Sequence, residues 1–501
     1  MKQNNGTRVL ALGIDAAEPT FVQHLIERGE MPALKQLMER GSWKRVKSSA
    51  HIGSGSVWPT FITGTEAHEH GVYGEWKWQP ETMSITRYSG HDLTPFWKSL
   101  ADEGATIGMM DVPFAPTVGF SKGFEISEWG AHDALEGRMR FSPESLSDSI
   151  SQTRTHPFQH KNIDIAGPDD YEQLTKLGSA CLDGVKLRGE LARRLMLETH
   201  PQFAIVAFTE IHRAAHYFWH NASPDHSFYA GDKFQGLRDT KSTLIDIYRE
   251  IDRQIGQLVE VAGVDACVMV FSLHGMQPTL GTPAFLTPLL VETNWSRLAD
   301  FASQSWRERA MSMFAALKRH APPSLKKLYY KTLPWNATLH LAQPTMLPAY
   351  DWSGTRAFSL PTDQHGWIRL NLIGREAKGI VAHQEYEKTC RELQQMLVNL
   401  VTEDGRPVVR ECLITSHSYD AAMTHPLPDL IVYYNEAAFD HDMRIKGMSF
   451  KAQSIGNKYT GQHAPEGFLI TAGQQGIVPE DPAVSSTELH RMIINSLSMR
   501  T

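Results

Sequence analysis

Between Ser54 and Gly71 the chain reads Ser-Gly-Ser-Val-Trp-Pro-Thr-Phe-Ile-Thr-Gly-Thr-Glu-Ala-His-Glu-His-Gly, with hydroxyls, glycines and a proline set ahead of a short apolar run. That order predicts a helix N-terminus, where free backbone N–H groups and the positive end of the helix dipole favour an alkoxide and an anionic ligand. Ser54 is the first candidate nucleophile. Taken alone, the window fits a plain N-cap equally well, with Ser54, Ser56 or Thr60 accepting a backbone N–H. Other residues tip the balance toward chemistry. Asp15, His212, His216, His274 and His463 each follow or sit beside an apolar, strand-like run, and strand ends are where open α/β sheets hold ligands. His212 and His216 are four apart, so a helix beginning there puts both imidazoles on one face, at a spacing that suits metal ligation.

The elements that must position these residues are legible as runs and periodicities. Residues 8–14 form an apolar run consistent with a buried parallel strand delivering Asp15. From 19 to 40, Phe21, Leu25, Ile26, Met31, Leu34, Leu37 and Met38 recur at helical spacing, with Gly29 a break between two helices. Residues 106–111, 203–208 and 266–272 read as further strands, and 180–199 and 236–262 as helices. Runs at 357–360, 368–372 and 429–433, separated by a helix over 383–400, read as the second half of one sheet. A last strand at 467–471 lies beside His463, and a helix over 486–499 closes the chain. Two tracts break the pattern and are expected as insertions covering the site. The first, about 116–169, is rich in Gly, Ser, Pro, His and aromatics and offers Trp129 and His132 as substrate contacts. The second, about 294–350, is helical and basic through Lys318, Arg319, Lys326, Lys327 and Lys331. It is either a solvated helical segment or a cap that attracts an anion.

At 501 residues the chain exceeds the usual single core, so one large α/β domain with insertions, or two domains, is expected. A net charge of −7 gives no electrostatic drive toward nucleic acid or an anionic membrane. Cys181, Cys267, Cys390 and Cys412 are too few and scattered for a disulfide framework or a thiolate zinc site. The N-terminal residues show no signal-type apolar core, and no later apolar run has membrane length. A soluble, cytoplasmic protein acting on a small molecule is expected, with oligomerisation left open.

Five blocks carry a resemblance: Gly13-Ile14-Asp15-Ala16; Ser54 to Gly64 with His70-Gly71; Glu210-Ile211-His212-Arg213-Ala214-Ala215-His216; Ser272-Leu273-His274-Gly275-Met276; and His463-Ala464-Pro465-Glu466-Gly467. Their order resembles the signature blocks of the alkaline phosphatase superfamily, in its type I phosphodiesterase/nucleotide pyrophosphatase branch. The resemblance implies a doubly wound, mostly parallel α/β sheet flanked by helices, with insertions forming a cap, as one domain over 1–501. It also implies divalent metal, zinc first with manganese or iron as alternatives, and one or two ions. In-line phosphoryl displacement would use Ser54 as nucleophile. Carried over, Asp15, Ser54 and His274 match one metal position, and His212, His216 and His463 the other.

Two departures matter. Leu273 stands where the family has an aspartate before the His-Gly pair, and His212 stands where it has another. The first removes an anionic ligand; the second makes a three-histidine set, with Glu210 as a spare carboxylate. A family asparagine that holds a phosphate oxygen falls on Glu75, whose charge repels phosphate, so Arg213 or Lys77 becomes the candidate contact. Trp58 joins Trp129 and His132 as a substrate-contact candidate. The reading is a metal-dependent phosphoric ester hydrolase, foremost a phosphodiesterase, acting through phospho-Ser54. The alternatives are a sulfatase, phosphomonoesterase or phosphoryl transferase on the same scaffold, or a non-catalytic binding protein derived from it.

Overall fold

Val9–Ile14 is apolar throughout because it runs down the middle of a sheet covered on both faces. In the computed structural model it pairs in parallel with Phe203–Phe208 on one side and with Cys267–Ser272 on the other. Every residue of these three strands is buried, as all-parallel sheet interiors require. Side chains alternate between the faces. Leu10, Leu12 and Ile14 enter a core shared with Leu25, Leu34, Leu177, Leu191, Ile211, Leu244 and Ile251. These come from the helices Pro19–Glu27, Pro32–Glu39, Tyr171–Thr199, Glu210–Phe218 and Thr243–Ala262. Each such side chain stabilises the fold by roughly 1.5–3 kcal/mol on burial. On the other face, Phe271 meets Phe61 and Trp58 at ring separations of 5.0 and 6.0 Å.

The structure describes residues 7–89, 92–131, 139–159, 171–223, 242–279, 282–300, 346–362, 364–435, 443–455, 459–473 and 481–498, with scattered single residues between 306 and 343 and at 438. The large sheet runs in the order Ala483–Ser485, Gly41–Lys47, Glu466–Ala472, Cys267–Ser272, Val9–Ile14, Phe203–Phe208, Ile107–Met110, Gly123–Ser127 and Arg140–Ser142. Glu466–Ala472 and Arg140–Ser142 are antiparallel to their neighbours and the remaining strands share one direction, the mostly parallel α/β fold expected. Gly29 breaks the first helical stretch at φ 75°, as the pattern predicts. The strand Gly41–Lys47 left no apolar signal because Ser42, Lys44, Arg45 and Lys47 break up its apolar residues. Among the described residues no helix is long and apolar enough to cross a membrane.

The chain divides into two compact units: Met1–Val72, Ser89–Pro278 and Lys458–Thr501 form the first, Tyr73–Tyr88 and Thr279–Asn457 the second. The tract expected as a first insertion falls in the first unit, and it contributes the sheet strands Gly123–Ser127 and Arg140–Ser142. The tract 294–350 falls in the second, where Lys318, Arg319, Lys326, Lys327 and Lys331 lie outside the described residues. The expectation that 357–360, 368–372 and 429–433 continue the large sheet is corrected. Ala357–Leu360, Gly366–Leu370, Leu430–Tyr434 and Val409–Ile414 form their own antiparallel four-stranded sheet. A short apolar run fixes burial, but it does not fix which strand it pairs with. The helix Tyr386–Val398 packs on this sheet through Tyr386, Leu393 and Leu397. Arg375 pins it by donating to both oxygens of Asp429 at 2.9 and 2.7 Å.

Gly13 is required by packing. A Cβ there would lie 2.7 Å from the Trp58 ring, in a strand paired on both sides. Gly13→Ala is therefore expected to destabilise the protein by about 1–3 kcal/mol, read as a lower urea midpoint at unchanged slope. An unchanged midpoint would show that the indole moves freely.

Candidate metal and nucleophile site

Asp15 leaves the carboxyl end of Val9–Ile14 and is 1% exposed. Its Oδ1 accepts the Trp58 Nε1–H at 2.8 Å, and its Oδ2 accepts the His212 Nδ1–H at 2.6 Å. His274 Nε2 lies 3.5 Å from Oδ1. Burial alone would raise this carboxyl, but the His212 and His274 rings overcome it and hold it well below the usual carboxylate range. The next residues are also tied down. Ala16 turns at φ 60°, and Ala17 N–H donates to Ser272 Oγ at 3.0 Å. Ser272 Oγ–H in turn donates to the His274 carbonyl at 2.7 Å. One hydroxyl thus joins the turns that present Asp15 and His274.

The histidines arrive on separate elements. His212 and His216 ride the helix Glu210–Phe218, which begins two residues after the strand Phe203–Phe208 ends. His274 follows Cys267–Ser272. The strand Gly275–Pro278 after it pairs antiparallel with Gly461–Ala464 and sets His463 opposite Met276. His463 Nε2 faces His212 Nε2 at 2.7 Å. Two ring nitrogens that close are bridged by one proton or turn both lone pairs to a cation. His212, His274 and His463 are all buried, with one ring nitrogen from each lying within 4.8 Å of the others.

His216 is half-buried beside them, its ring 5.0 Å from that of His212 and 4.8 Å from that of His463. Its Nδ1–H donates to Gly461 O at 2.9 Å, and its carbonyl accepts Thr460 N–H at 2.7 Å. These bonds seat the helix on the Gly461–Ala464 strand. A Cβ on Gly461 would lie 2.4 Å from the Ala215 carbonyl, so only glycine permits that approach. His274 is thus near both Asp15 and the other two histidines, its Nε2 3.5 Å from Asp15 Oδ1 and its ring 5.4 and 4.8 Å from those of His212 and His463.

Ser54 is half-buried and opens the 3-10 turn Ser54–Ser56, which leads into the helix Val57–Thr63. Its two rivals are more deeply buried. Ser56 is fully buried, its hydroxyl within 2.9 and 2.7 Å of the Ser49 and Gly53 carbonyls. Thr60 is also buried, 3.1 Å from Ser49 Oγ and 3.0 Å from His70 Nε2. His70 Nδ1 accepts the Val72 N–H at 3.0 Å, so its Nε2 carries the proton and donates to Thr60. Burial pushes the His70 pKa down to about 4 and keeps the ring neutral.

The other candidates have their own surroundings. Trp58 is buried at 2% exposure with its N–H on Asp15, a position that holds the carboxylate. Trp129 is buried with its ring 4.8 Å from His156. The Arg213 guanidinium sits over the Phe158 ring at 4.2 Å. Lys77 belongs to the two-stranded ribbon Trp76–Gln79 with Ser84–Arg87 in the second unit, 5.9 Å over the Tyr88 ring. His132 lies outside the described residues.

Glu210 faces a buried charge network. Arg188, fully buried in the long helix Tyr171–Thr199, donates to Glu210 Oε1 at 2.9 Å and to Asp111 Oδ2 at 2.7 Å. Asp111, at the end of Ile107–Met110, also accepts the Trp129 and Gly130 N–H groups at 2.7 Å. His156 Nδ1 accepts Phe158 N–H, so its Nε2–H donates to Glu210 Oε1 at 2.8 Å. This network fixes the first residue of the helix that carries His212. Sequence reading missed Arg188, Asp111 and His156; the one available signal was an arginine amid the apolar positions of a long helix.

The profile of the type I phosphodiesterase / nucleotide pyrophosphatase family matches residues 9–439. The chain belongs to that family, and through it is a phosphodiesterase- or phosphatase-type hydrolase of the alkaline phosphatase superfamily. Two solved structures of phosphonoacetate hydrolase from Sinorhizobium meliloti 1021 share its fold. The one in complex with phosphonoformate is 14% identical with a TM-score of 0.54, and covers 98% of this chain and 96% of that one. The phosphonoacetate complex is 15% identical with a TM-score of 0.52 and the same coverage, 98% and 96%. Human ectonucleotide pyrophosphatase / phosphodiesterase 5 aligns over 98% of this chain and 95% of its own at 11% identity, with a TM-score of 0.45. No curated protein matches the chain by sequence.

The Glu210 network makes stability depend on acid. Burial alone would raise Glu210; Arg188 and His156 reverse that and bring it from 4.5 to about 2. A depressed folded-state value means the stabilisation is complete above the ordinary carboxyl range and is lost as pH falls toward 2. The loss attributable to this group is on the order of 3 kcal/mol. Urea unfolding between pH 5 and 2.5 is expected to show a steeper loss of stability in the native protein than in Glu210→Gln. Equal slopes would contradict the assignment.

Proposed function

We propose that the protein is a divalent-metal-dependent phosphodiesterase acting through a covalent phospho-Ser54 intermediate on a small phosphate diester. The observation that carries this reading is the convergence of His212, His274 and His463 beside the ionised Asp15, which leaves the end of the central parallel strand. The donor set suits zinc, since imidazole nitrogens are among its preferred ligands. When bound, such an ion supplies Lewis-acid polarisation of a phosphoryl oxygen and stabilises the charge that develops on it.

The chain's own residues supply the rest. Ser54 Oγ attacks phosphorus, the Oγ–P bond forms, the bond to the leaving oxygen breaks, and the serine proton ends on the departing alcohol. Water then attacks the phosphoserine. The Oγ–P bond breaks, a phosphate monoester leaves, and one water proton restores the Ser54 hydroxyl. Asp15 and Trp58 keep His212 oriented, and the Ser272 hydroxyl holds the turns of Asp15 and His274 in register. Glu75 in place of the family asparagine directs the proposal away from nucleotide pyrophosphates and toward simpler diesters.

Purified protein assayed with aryl phosphodiester, phosphomonoester and sulfate substrates is expected to turn over the diester fastest. Ser54→Ala should lower that rate by at least about a thousandfold with an unchanged circular dichroism spectrum. Ser56→Ala should mainly lower stability. Full activity in Ser54→Ala, or preference for the sulfate, would overturn the proposal.

A further inference from the structure

The helix Val57–Thr63 that follows the Ser54 turn has seven residues, and a helix that short does not hold itself in water. Its place, and with it the place of Ser54, has to come from contacts with the rest of the fold. We infer that Thr60, His70 and His490 are positioning residues for the Ser54 nucleophile, fixing the short helix at its middle and at its end. The inference rests on the phospho-Ser54 reading above and deepens it.

The turn first closes on itself. Ile52 N–H and the Ser56 hydroxyl donate to the Ser49 carbonyl at 2.8 and 2.9 Å, and the Ser56 N–H and hydroxyl reach the Gly53 carbonyl at 3.0 and 2.7 Å. These bonds lie within residues 49–56, so they shape the turn without anchoring it. The anchor starts at Ser49 Oγ, which is buried 2.7 Å from Ser56 Oγ and 3.1 Å from Thr60 Oγ1. Thr60 in turn receives the His70 Nε2–H at 3.0 Å. The far nitrogen sets that direction, because His70 Nδ1 accepts the Val72 N–H at 3.0 Å and holds no proton of its own.

The other end of the helix is closed from a distant part of the chain. A helix leaves its last carbonyls without partners inside itself. Here Gly64 N–H donates to the Thr60 carbonyl at 2.9 Å, Phe96 N–H to that of Ile62 at 2.9 Å, and His490 Nδ1–H to that of Phe61 at 2.8 Å. His490 is buried in the helix Ser486–Ser498, its ring 4.7 Å from that of Phe96. Gly64 turns at φ 70°, and a Cβ on it would lie 2.6 Å from His490 Nε2. The end of the nucleophile helix is thus shaped to admit this ring. Removing the Thr60, His70 or His490 contact leaves a buried polar group unmet and frees the helix to shift with Ser54. A displacement of about 1 Å at a reacting atom lowers a rate by about a hundredfold.

The test separates rate from stability. With an aryl phosphodiester, Thr60→Val, His70→Phe and His490→Phe are each expected to lower kcat by about 10–100-fold with KM little changed. The rates would be read at temperatures where circular dichroism shows each variant folded. Thr60→Ser, His70→Gln and His490→Asn keep the hydroxyl or a nitrogen donor, and each should recover most of the loss. A merely structural role would lower the urea midpoint and leave the kcat of folded protein native. Native kcat in any of the three disruptive variants, a loss confined to KM, or no recovery in the conservative variants would overturn the inference. Where one of the three does not fold, the remaining pairs decide. Full activity in Ser54→Ala would defeat the phospho-Ser54 reading and this inference with it. An inactive Ser54→Ala beside native kcat in the disruptive variants would defeat the inference alone.

Discussion

The buried hydrogen bond from His212 Nδ1 to Asp15 Oδ2 is the contact on which the rest of the site depends. A carboxylate with almost no exposure is costly unless its charge is met, and here two rings and an indole meet it. The requirement reaches outward through the fold. Asp15 must leave the central strand, so that the elements following Phe203–Phe208 on one side and Cys267–Ser272 on the other can bring His212 and His274 to it. Gly13 must lack a side chain for Trp58 to reach Oδ1. The Gly275–Pro278 and Gly461–Ala464 pair must form for His463 to complete the group.

Beside that contact stands a second buried charge network, Arg188 with Asp111, Glu210 and His156. Buried ion pairs are weak sources of net stability, yet removing one partner is costly because it leaves the other uncompensated. Their value here is geometric. Asp111 holds the Trp129 and Gly130 amides while Arg188 links that turn to Glu210, the first residue of the helix bearing His212 and His216. The carboxyl ends of adjacent strands thus carry one cluster with the donors for a metal and another that fixes where those donors start. Within the second unit, Arg375, Asp429, Glu376 and Arg369 form an independent buried set that ties the four-stranded sheet to its loops.

The large sheet was legible because its central strands are apolar on both faces, which leaves unbroken runs such as Phe203–Phe208. The residues at their ends, Asp15, His212 and His274, stood out as polar groups just past those runs. The strands of the second unit were recognised as strands but assigned to the wrong sheet, since Ala357–Leu360 and Leu430–Tyr434 carry no mark of their partners. Glu210 read as a spare ligand because it lies two residues from His212. On the helix those two side chains point apart, and only the packed structure reveals Arg188 and His156 on its side. Nor does the linear order show that the Trp58 N–H finds Asp15, 43 positions earlier in the chain, through a proximity created by folding. Ser54 could not be told from Ser56 and Thr60 in the linear order; only the fold shows that Ser56 and Thr60 are buried while Ser54 is half-buried.

Anomalous diffraction at the zinc edge, from crystals grown with the metal, tests most directly whether the buried cluster around Asp15 holds a metal ion. The account predicts a peak at about 2.0–2.1 Å from ring nitrogens of the cluster His212, His274 and His463. No peak within bonding distance of any of these nitrogens would contradict it.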